Sequence, residues 1–257
     1  MIFHATAIGN IAKEILANHQ TFYVHSIFNK GFNIVNDAQE LIFIGTDENG
    51  MFPFGILIDQ QTKRSLLNEI SLNQQITIGP NTIYMSKTCQ LVWHVASLPF
   101  KDFAEKVNND ELKQNISTYD FTMYDEGDFD RQTMSRIIHA LKYEDVETVE
   151  QYYYRYLIGR GQGLTPSGDD ILTGMLFIHF TDPYIRKPNL EKLKYLLNEP
   201  LTTLVGETFL KCAQQGLFSS KISELQHEPS LANIDRLLKV GSSSGRDTVY
   251  GMFVALT

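Results

Sequence analysis

Cysteine is nearly absent: two residues, Cys89 and Cys212, in a chain of 257. They lie far apart and follow no metal or redox spacing, so no disulfide scaffold is expected and a reducing, cytoplasmic setting fits. Positive charge is also short, with 22 Lys and Arg against 30 Asp and Glu, a net charge of −8. Residues 102–150 hold 13 acidic and 5 basic side chains, which accounts for that whole excess. Without a basic stripe the phosphates of a duplex have no counter-surface, so nucleic acid is excluded as a partner. Long apolar runs are missing too. The most apolar segment, Ile171–Phe180, is too short to span a bilayer and reads as a buried helix, so no membrane is expected. The first residues lack the basic and apolar regions of a signal peptide. The seven histidines contain no H-x-x-x-H pair, and no G-x-S-x-G elbow occurs, which leaves neither a zinc site nor that type of nucleophile.

What is present divides at about Leu98. A short amphipathic helix is expected around Ile8–Leu16. After it come runs rich in β-branched and aromatic residues: Thr21–Phe28, Phe32–Val35, Leu41–Gly45, Gly55–Asp59, Gln75–Ile78, Thr82–Met85 and Gln90–Val95. Turn formers separate them, and spacing this tight favours antiparallel pairing. Beyond Pro99 the periodicity is helical over Phe100–Asn115, Phe129–Tyr143, Val146–Ile158, Ile171–Phe180, Leu190–Leu197, Thr203–Leu217, Leu231–Val240 and Thr248–Leu256. Asp128 and Asp145 are expected caps, and Tyr119–Asp130 an exposed acidic connection. The fold class is therefore α+β: an antiparallel β-rich, barrel- or sandwich-like half over 1–98, then a helical half over 99–257.

The segment with the strongest chemical character is Gly159-Arg160-Gly161-Gln162-Gly163-Leu164-Thr165-Pro166-Ser167-Gly168-Asp169-Asp170. Glycine-rich backbone ahead of a helix start lets a ligand approach closely and presents N–H groups at the positive end of the helix dipole. Arg160 could add a forked cation. A nucleotide P-loop is ruled out because Asp169-Asp170 stands where Lys-Ser/Thr is required. A Rossmann fingerprint fails because Leu164 replaces its third glycine. Capping alone could also account for the segment, through Ser167-x-x-Asp170 or through Thr165 with Pro166 in the first turn. Asp169 is the harder of the two aspartates to explain that way.

An internal echo adds weight. Ser167 to Met175 matches Ser244-Gly245-Arg246-Asp247-Thr248-Val249-Tyr250-Gly251-Met252 at Ser, Gly, the second Asp, the later Gly and Met. Both copies open an expected helix. The two starts are expected to border one pocket that binds a small anion, with Arg160 or Arg246 supplying charge.

The octapeptide Gly163–Asp170 resembles the signature of the AllH-type bacterial family related to a subunit of oxamate carbamoyltransferase. Val24-His25-Ser26-Ile27-Phe28 with Phe32-Asn33-Ile34, Phe52-Pro53-Phe54-Gly55, and Gly241-Ser242-Ser243-Ser244-Gly245-Arg246-Asp247 resemble further family segments. Ser242 stands where the family more usually has His. The resemblance implies carbamoyl transfer among oxamate, oxalurate, phosphate and carbamoyl phosphate in purine or allantoin nitrogen metabolism, in a complex with partner subunits or as a homo-oligomer. The candidate catalytic residues it leaves are Asp169, Asp170 and His25. The candidate substrate-binding residues are Arg160, Gly161, Gly163, Thr165, Ser167, Gly168, Ser243, Ser244, Gly245, Arg246 and Asp247. No cofactor is required by the motif; Mg²⁺ is the one the paired aspartates would accept. The alternatives are a non-catalytic binding or scaffolding subunit and a Mg²⁺-dependent hydrolase.

Overall fold

The computed structural model describes residues 1–98 and 108–257. The chain divides into two compact units, Met1–Lys101 and Asp102–Thr257. The first is one curled, half-barrel sheet with ten strands among the described residues. They are β1 (Ile2–His4), β2 (Ala7–Gly9), β3 (Thr21–Phe28), β4 (Gly31–Val35), β5 (Leu41–Gly45), β6 (Gly55–Leu57), β7 (Gln75–Gly79), β8 (Thr82–Tyr84), β9 (Gln90–Val92) and β10 (Ser97–Leu98). Their spatial order is β1-β9-β8-β7-β3-β4-β5-β6-β2-β10.

The hairpins pair antiparallel as expected, but β1 with β9, β2 with β10, and β5 with β6 are parallel. The sheet is mixed. Close spacing misled for β5 and β6 because residues 46–54 turn back through a short 3₁₀ helix, Asp47–Asn49, and Gly50 at φ +84°. That compact loop replaces the longer helical crossover parallel neighbours usually need.

Helices α1 (Asn10–Asn18) and α2 (Gln60–Glu69) belong to this unit. Ala12, Leu16 and Leu66 join Phe32, Ile34, Ile42, Ile44 and Ile56 in its core. Helix α2 escapes sequence reading because QQTKRSLLNE buries only Thr62 and Leu66; its start is fixed by Asp59 accepting from the Thr62 N–H.

The second unit is helical. Residues 100–107 of the helix expected over Phe100–Asn115 lie outside the described residues; the remainder falls on α3 (Asn109–Ile116). Then follow α4 (Arg131–Tyr143), α5 (Val146–Val149), a π-helical turn at Glu150–Tyr154, α6 (Arg155–Leu157), α7 (Ser167–Thr181), α8 (Lys187–Leu196), α9 (Leu204–Ala213), α10 (Ser220–His227), α11 (Leu231–Leu238) and α12 (Ser244–Leu256). Asp145 caps α5 as expected, but α4 is capped by Asp130, not Asp128. Every residue from Gly168 to His179 is buried, so α7 is the axis of this unit. Its His179 is a satisfied core residue, accepting at Nδ1 from the N–H groups of Tyr184 and Ile185.

Candidate functional site

The echo in the sequence is a repeated structural element. At each copy a helix ends on a glycine in the left-handed region, Gly159 at φ +77° and Gly241 at φ +65°, before the chain re-enters a helix. Gly168 donates its N–H to the Arg160 carbonyl at 2.8 Å, and Gly245 donates to the Val240 carbonyl at 3.0 Å. A Cβ on Gly168 would overlap the Leu157 carbonyl, and one on Gly245 the Leu237 carbonyl. The two helices then cross reciprocally. Gly174 of α7 lies on the Thr248 carbonyl of α12, while Gly251 of α12 lies on the Ile171 carbonyl of α7. The starts converge: the Thr165 and Ser244 hydroxyls are hydrogen-bonded at 2.8 Å across 79 residues.

Neither start is a capping box. Pro166 is the N-cap of α7 and Ser243 that of α12, and neither helix has a side-chain cap hydrogen bond. Asp170 and Asp247 are thereby left for other work. They are 8% and 3% exposed, and the Oδ2 of each has no hydrogen-bond partner among the described residues. Burial pushes the Asp170 carboxyl up to about 8. The neighbouring Ser244 and Thr165 hydroxyls oppose the shift, while the negative fields of Asp247 and Asp169 add to it. Asp247 Oδ1 accepts from the Tyr124 hydroxyl at 2.5 Å. Burial, reinforced by that aspartate, raises the Tyr124 phenol far above its ordinary range, so it stays a donor.

Tyr124 corrects the reading of Tyr119–Asp130 as merely an exposed linker. Its ring stacks on Tyr250 at 3.8 Å with the planes parallel, and Phe121 stacks on Phe253 at 4.9 Å. The two aromatics three apart in an acidic loop were the available signal. Replacing Tyr124 by Phe removes one hydroxyl and leaves Asp247 without that donor. We expect a loss of about 1–3 kcal/mol in urea unfolding, the penalty of orphaning a buried polar group.

Asp169 was the preferred functional aspartate in the sequence reading, and the structure gives it a different part. Its Oδ1 accepts from the Gly159 N–H at 2.8 Å, and its Oδ2 from the Thr202 hydroxyl. Both oxygens are engaged in tying the end of α6 to the segment before α9. Burial raises its carboxyl, and those two hydrogen bonds hold it back. Arg160 is also occupied: its guanidinium lies 3.9 Å from the Tyr156 ring centroid, donates to the Tyr156 carbonyl and pairs with Asp128 at 3.2 Å. Arg246, on the first turn of α12, is exposed and donates to the Met123 sulfur at 3.3 Å.

Gly161 and Gly163 lie in the exposed loop with φ of +114° and +92°, and Gly161 packs against the backbone of Ser167. Gly168 spends its N–H within the fold, so it is not the free anion donor that was expected. His25 lies in the other unit, on β3, exposed and hydrogen-bonded through Nδ1 to Ser26 at 3.1 Å. Among the described residues no group of three or more His, Cys, Asp and Glu could hold a metal ion.

The duplicated, glycine-packed helix starts coincide with a family match. Residues 157–256 match the family described as oxamate carbamoyltransferase subunit AllH, and residues 4–98 match the AllH family N-terminal domain. The chain belongs to the AllH family. The AllH match begins at Leu157, whose carbonyl meets Gly168, and ends within α12, so it spans both copies of the repeated element. The N-terminal match covers the mixed sheet from the last residue of β1 onward. As an oxamate carbamoyltransferase subunit family, AllH implies partner subunits. No solved structure matches the chain. No helix among the described residues is long and apolar enough to cross a membrane.

Sequence reasoning missed Tyr124 and Thr202, each of which serves one of the aspartates. Thr202 carried no signal, since a lone threonine before a helix reads only as a cap.

Proposed function

We propose that this AllH-family chain is the subunit that holds the amide end of the substrate during carbamoyl transfer between carbamoyl phosphate and oxamate, and in the reverse direction from oxalurate to phosphate. The observation that carries this is the pair of buried, unpartnered Oδ2 atoms on Asp170 and Asp247 at the converging helix starts. A carboxylate oxygen accepts and cannot donate when ionised, so what the pair lacks is N–H groups. A carbamoyl or oxamate –NH₂ offers two. Each such charge-assisted bond is worth about 1.5–3 kcal/mol. The helix N-termini favour the anionic remainder of the substrate, and the exposed Arg246, which meets the Met123 sulfur, is the cation on the first turn of α12. Asp169, Thr165, Ser167, Ser243, Gly161, Gly163, Gly168 and Gly245 shape the two starts rather than react. Partner subunits, or a second copy of this chain, supply the rest of the site. The setting is cytoplasmic purine or allantoin nitrogen metabolism.

Since Asp170 titrates at about 8, the acceptor form dominates only above that pH. In calorimetric titration with oxamate, affinity should improve about tenfold per pH unit on rising toward 8 and then level off. Asp170→Asn and Asp247→Asn should each weaken binding at least about tenfold and flatten or shift that profile. Wild-type affinity in both variants would overturn the proposal. It would favour the scaffolding alternative, which the complete engagement of Asp169 and Arg160 also supports.

A further inference from the structure

Asp247 stands on the first turn of α12, where a carboxylate ordinarily turns back onto the free N–H groups of its own helix. It does not do so here, since α12 has no side-chain cap hydrogen bond. Its Oδ1 accepts instead from the hydroxyl of Tyr124, 123 positions earlier in the chain. The carboxylate torsion of an aspartate is broad and roughly two-fold, so an unheld group could offer either oxygen in several directions. One hydrogen bond at Oδ1 fixes both the plane of the group and the oxygen that remains. That oxygen, Oδ2, is buried without a partner among the described residues.

The segment that carries Tyr124 is arranged to place its hydroxyl. Asp247, Tyr250 and Phe253 follow at steps of three along one side of α12. The Tyr124 ring lies on Tyr250 at 3.8 Å, and the Phe121 ring lies on Phe253 at 4.9 Å. Asp120 accepts from the Thr122 N–H at 2.9 Å and so holds the start of the short 3₁₀ turn Thr122–Tyr124. Arg131 secures the far end: it pairs with Asp125 at 3.2 Å and lies over the Phe253 ring, 5.4 Å from its centroid. Phenylalanine would serve all of this packing equally well. Tyr124 is 7% exposed, and a phenol there costs free energy unless it finds a partner. The partner it reaches is Asp247, so the hydroxyl answers to the carboxylate and not to the core. We propose that Tyr124 is a positioning residue for the substrate amide, holding Asp247 by Oδ1 so that Oδ2 faces the N–H groups of oxamate or a carbamoyl group. This rests on the reading of Asp170 and Asp247 as the amide-holding pair and deepens it. Choice of an amide over an anion of similar shape then depends on a residue that acts only through Asp247.

Calorimetric titration of the full chain with oxamate and with oxalate tests this, above pH 8 where the carboxylate form of Asp170 dominates. Oxalate has a carboxylate where oxamate has its amide and cannot donate, so the ratio of the two affinities reads the amide contact. Wild type should bind oxamate about tenfold tighter or more, and Asp247→Asn should collapse that ratio. Tyr124→Phe keeps the ring and its stacking, and should lower the ratio about fivefold or more while the far-UV helix signal is unchanged. In the Asp247→Asn background the same change should have no further effect on the ratio, because the group it acts through is gone. Phe121→Leu is the control for a merely structural role: it loosens the same segment without removing a hydroxyl, so it should lower the urea midpoint and leave the ratio intact. A wild-type ratio in Tyr124→Phe, an equal drop in the Asp247→Asn background, or an equal drop in Phe121→Leu would each overturn the proposal. No preference for oxamate in wild type, or an intact ratio in both Asp170→Asn and Asp247→Asn, overturns the amide-holding reading and this proposal together. A collapsed ratio in Asp247→Asn beside an intact one in Tyr124→Phe overturns this proposal alone.

Discussion

Gly174→Val should abolish the helical unit's native packing while leaving the sheet unit folded. The Cβ introduced at Gly174 overlaps the Thr248 carbonyl and lies 2.9 Å from the Met252 nitrogen, both backbone atoms that cannot rotate away. Separating the helices would also open the buried faces of α7 and α12, which carry Ile171, Met175, Val249 and Met252. A cost of at least about 4 kcal/mol is expected, in the range reserved for overpacked cores. Gly251→Val should cost a similar amount, and the double variant should cost less than the sum, because the first change already parts the crossing. Gly163→Ala is the control: no atom lies within 4 Å of its Cβ, so only the φ of +92° is strained, about 1–2 kcal/mol. The far-UV helix signal should melt early in Gly174→Val. Emission of the single tryptophan, Trp93, which lies in the core of the sheet unit, should not. A wild-type helix melt would sink the reciprocal crossing.

The second large effect is on pH dependence. Asp170 titrates at about 8 in the folded chain and near its ordinary value of 3.8 when unfolded. Between those values the folded state holds a proton that the unfolded state has released. Stability should therefore be greatest at mildly acidic pH, fall as pH rises through this window and become flat above about 8. The slope from one such group is about 1.4 kcal/mol per unit, which amounts to several kcal/mol over the window. Asp169, also raised by burial, acts in the same direction. Asp170→Asn removes the charge that burial penalises and keeps a donor and an acceptor of nearly the same shape. It should be more stable than wild type at pH 8, should lose most of the slope, and should bind oxamate poorly. Urea midpoints at pH 5, 7 and 9 decide this; parallel profiles for the two proteins would refute it. A stabilising change that removes binding is the trade expected where a buried charge is kept for function.

Much of this was legible in the chain because certain residues answer to one constraint only. The β-branched and aromatic runs Thr21–Phe28 and Leu41–Gly45 coincide with β3 and β5 end to end. The echo was legible because a helix crossing at backbone contact admits glycine alone, so Gly174 and Gly251 had to fall at matching positions. The α+β class followed from the same local periodicities. What stayed hidden depends on partners distant in sequence. Nothing about Asp169 and Asp170 as neighbours reveals that one meets Thr202 and the other faces Asp247. Tyr124 reaches Asp247 across 123 residues, and no local pattern encodes that. Parallel pairing of β1 with β9 was hidden for the same reason.

The hydroxyl contact between Thr165 and Ser244 closes a stretch of 79 residues. Ordering a loop of that length must precede any reward from the contacts it makes, which places the event late in folding and slows it. Local helices such as α4 can form on their own schedule, whereas the paired carboxylates meet only when α12 has docked on α7. Destabilising that docking should therefore speed unfolding more than it slows folding, and native-state hydrogen exchange should find the first turns of both helices opening together, as one cooperative unit.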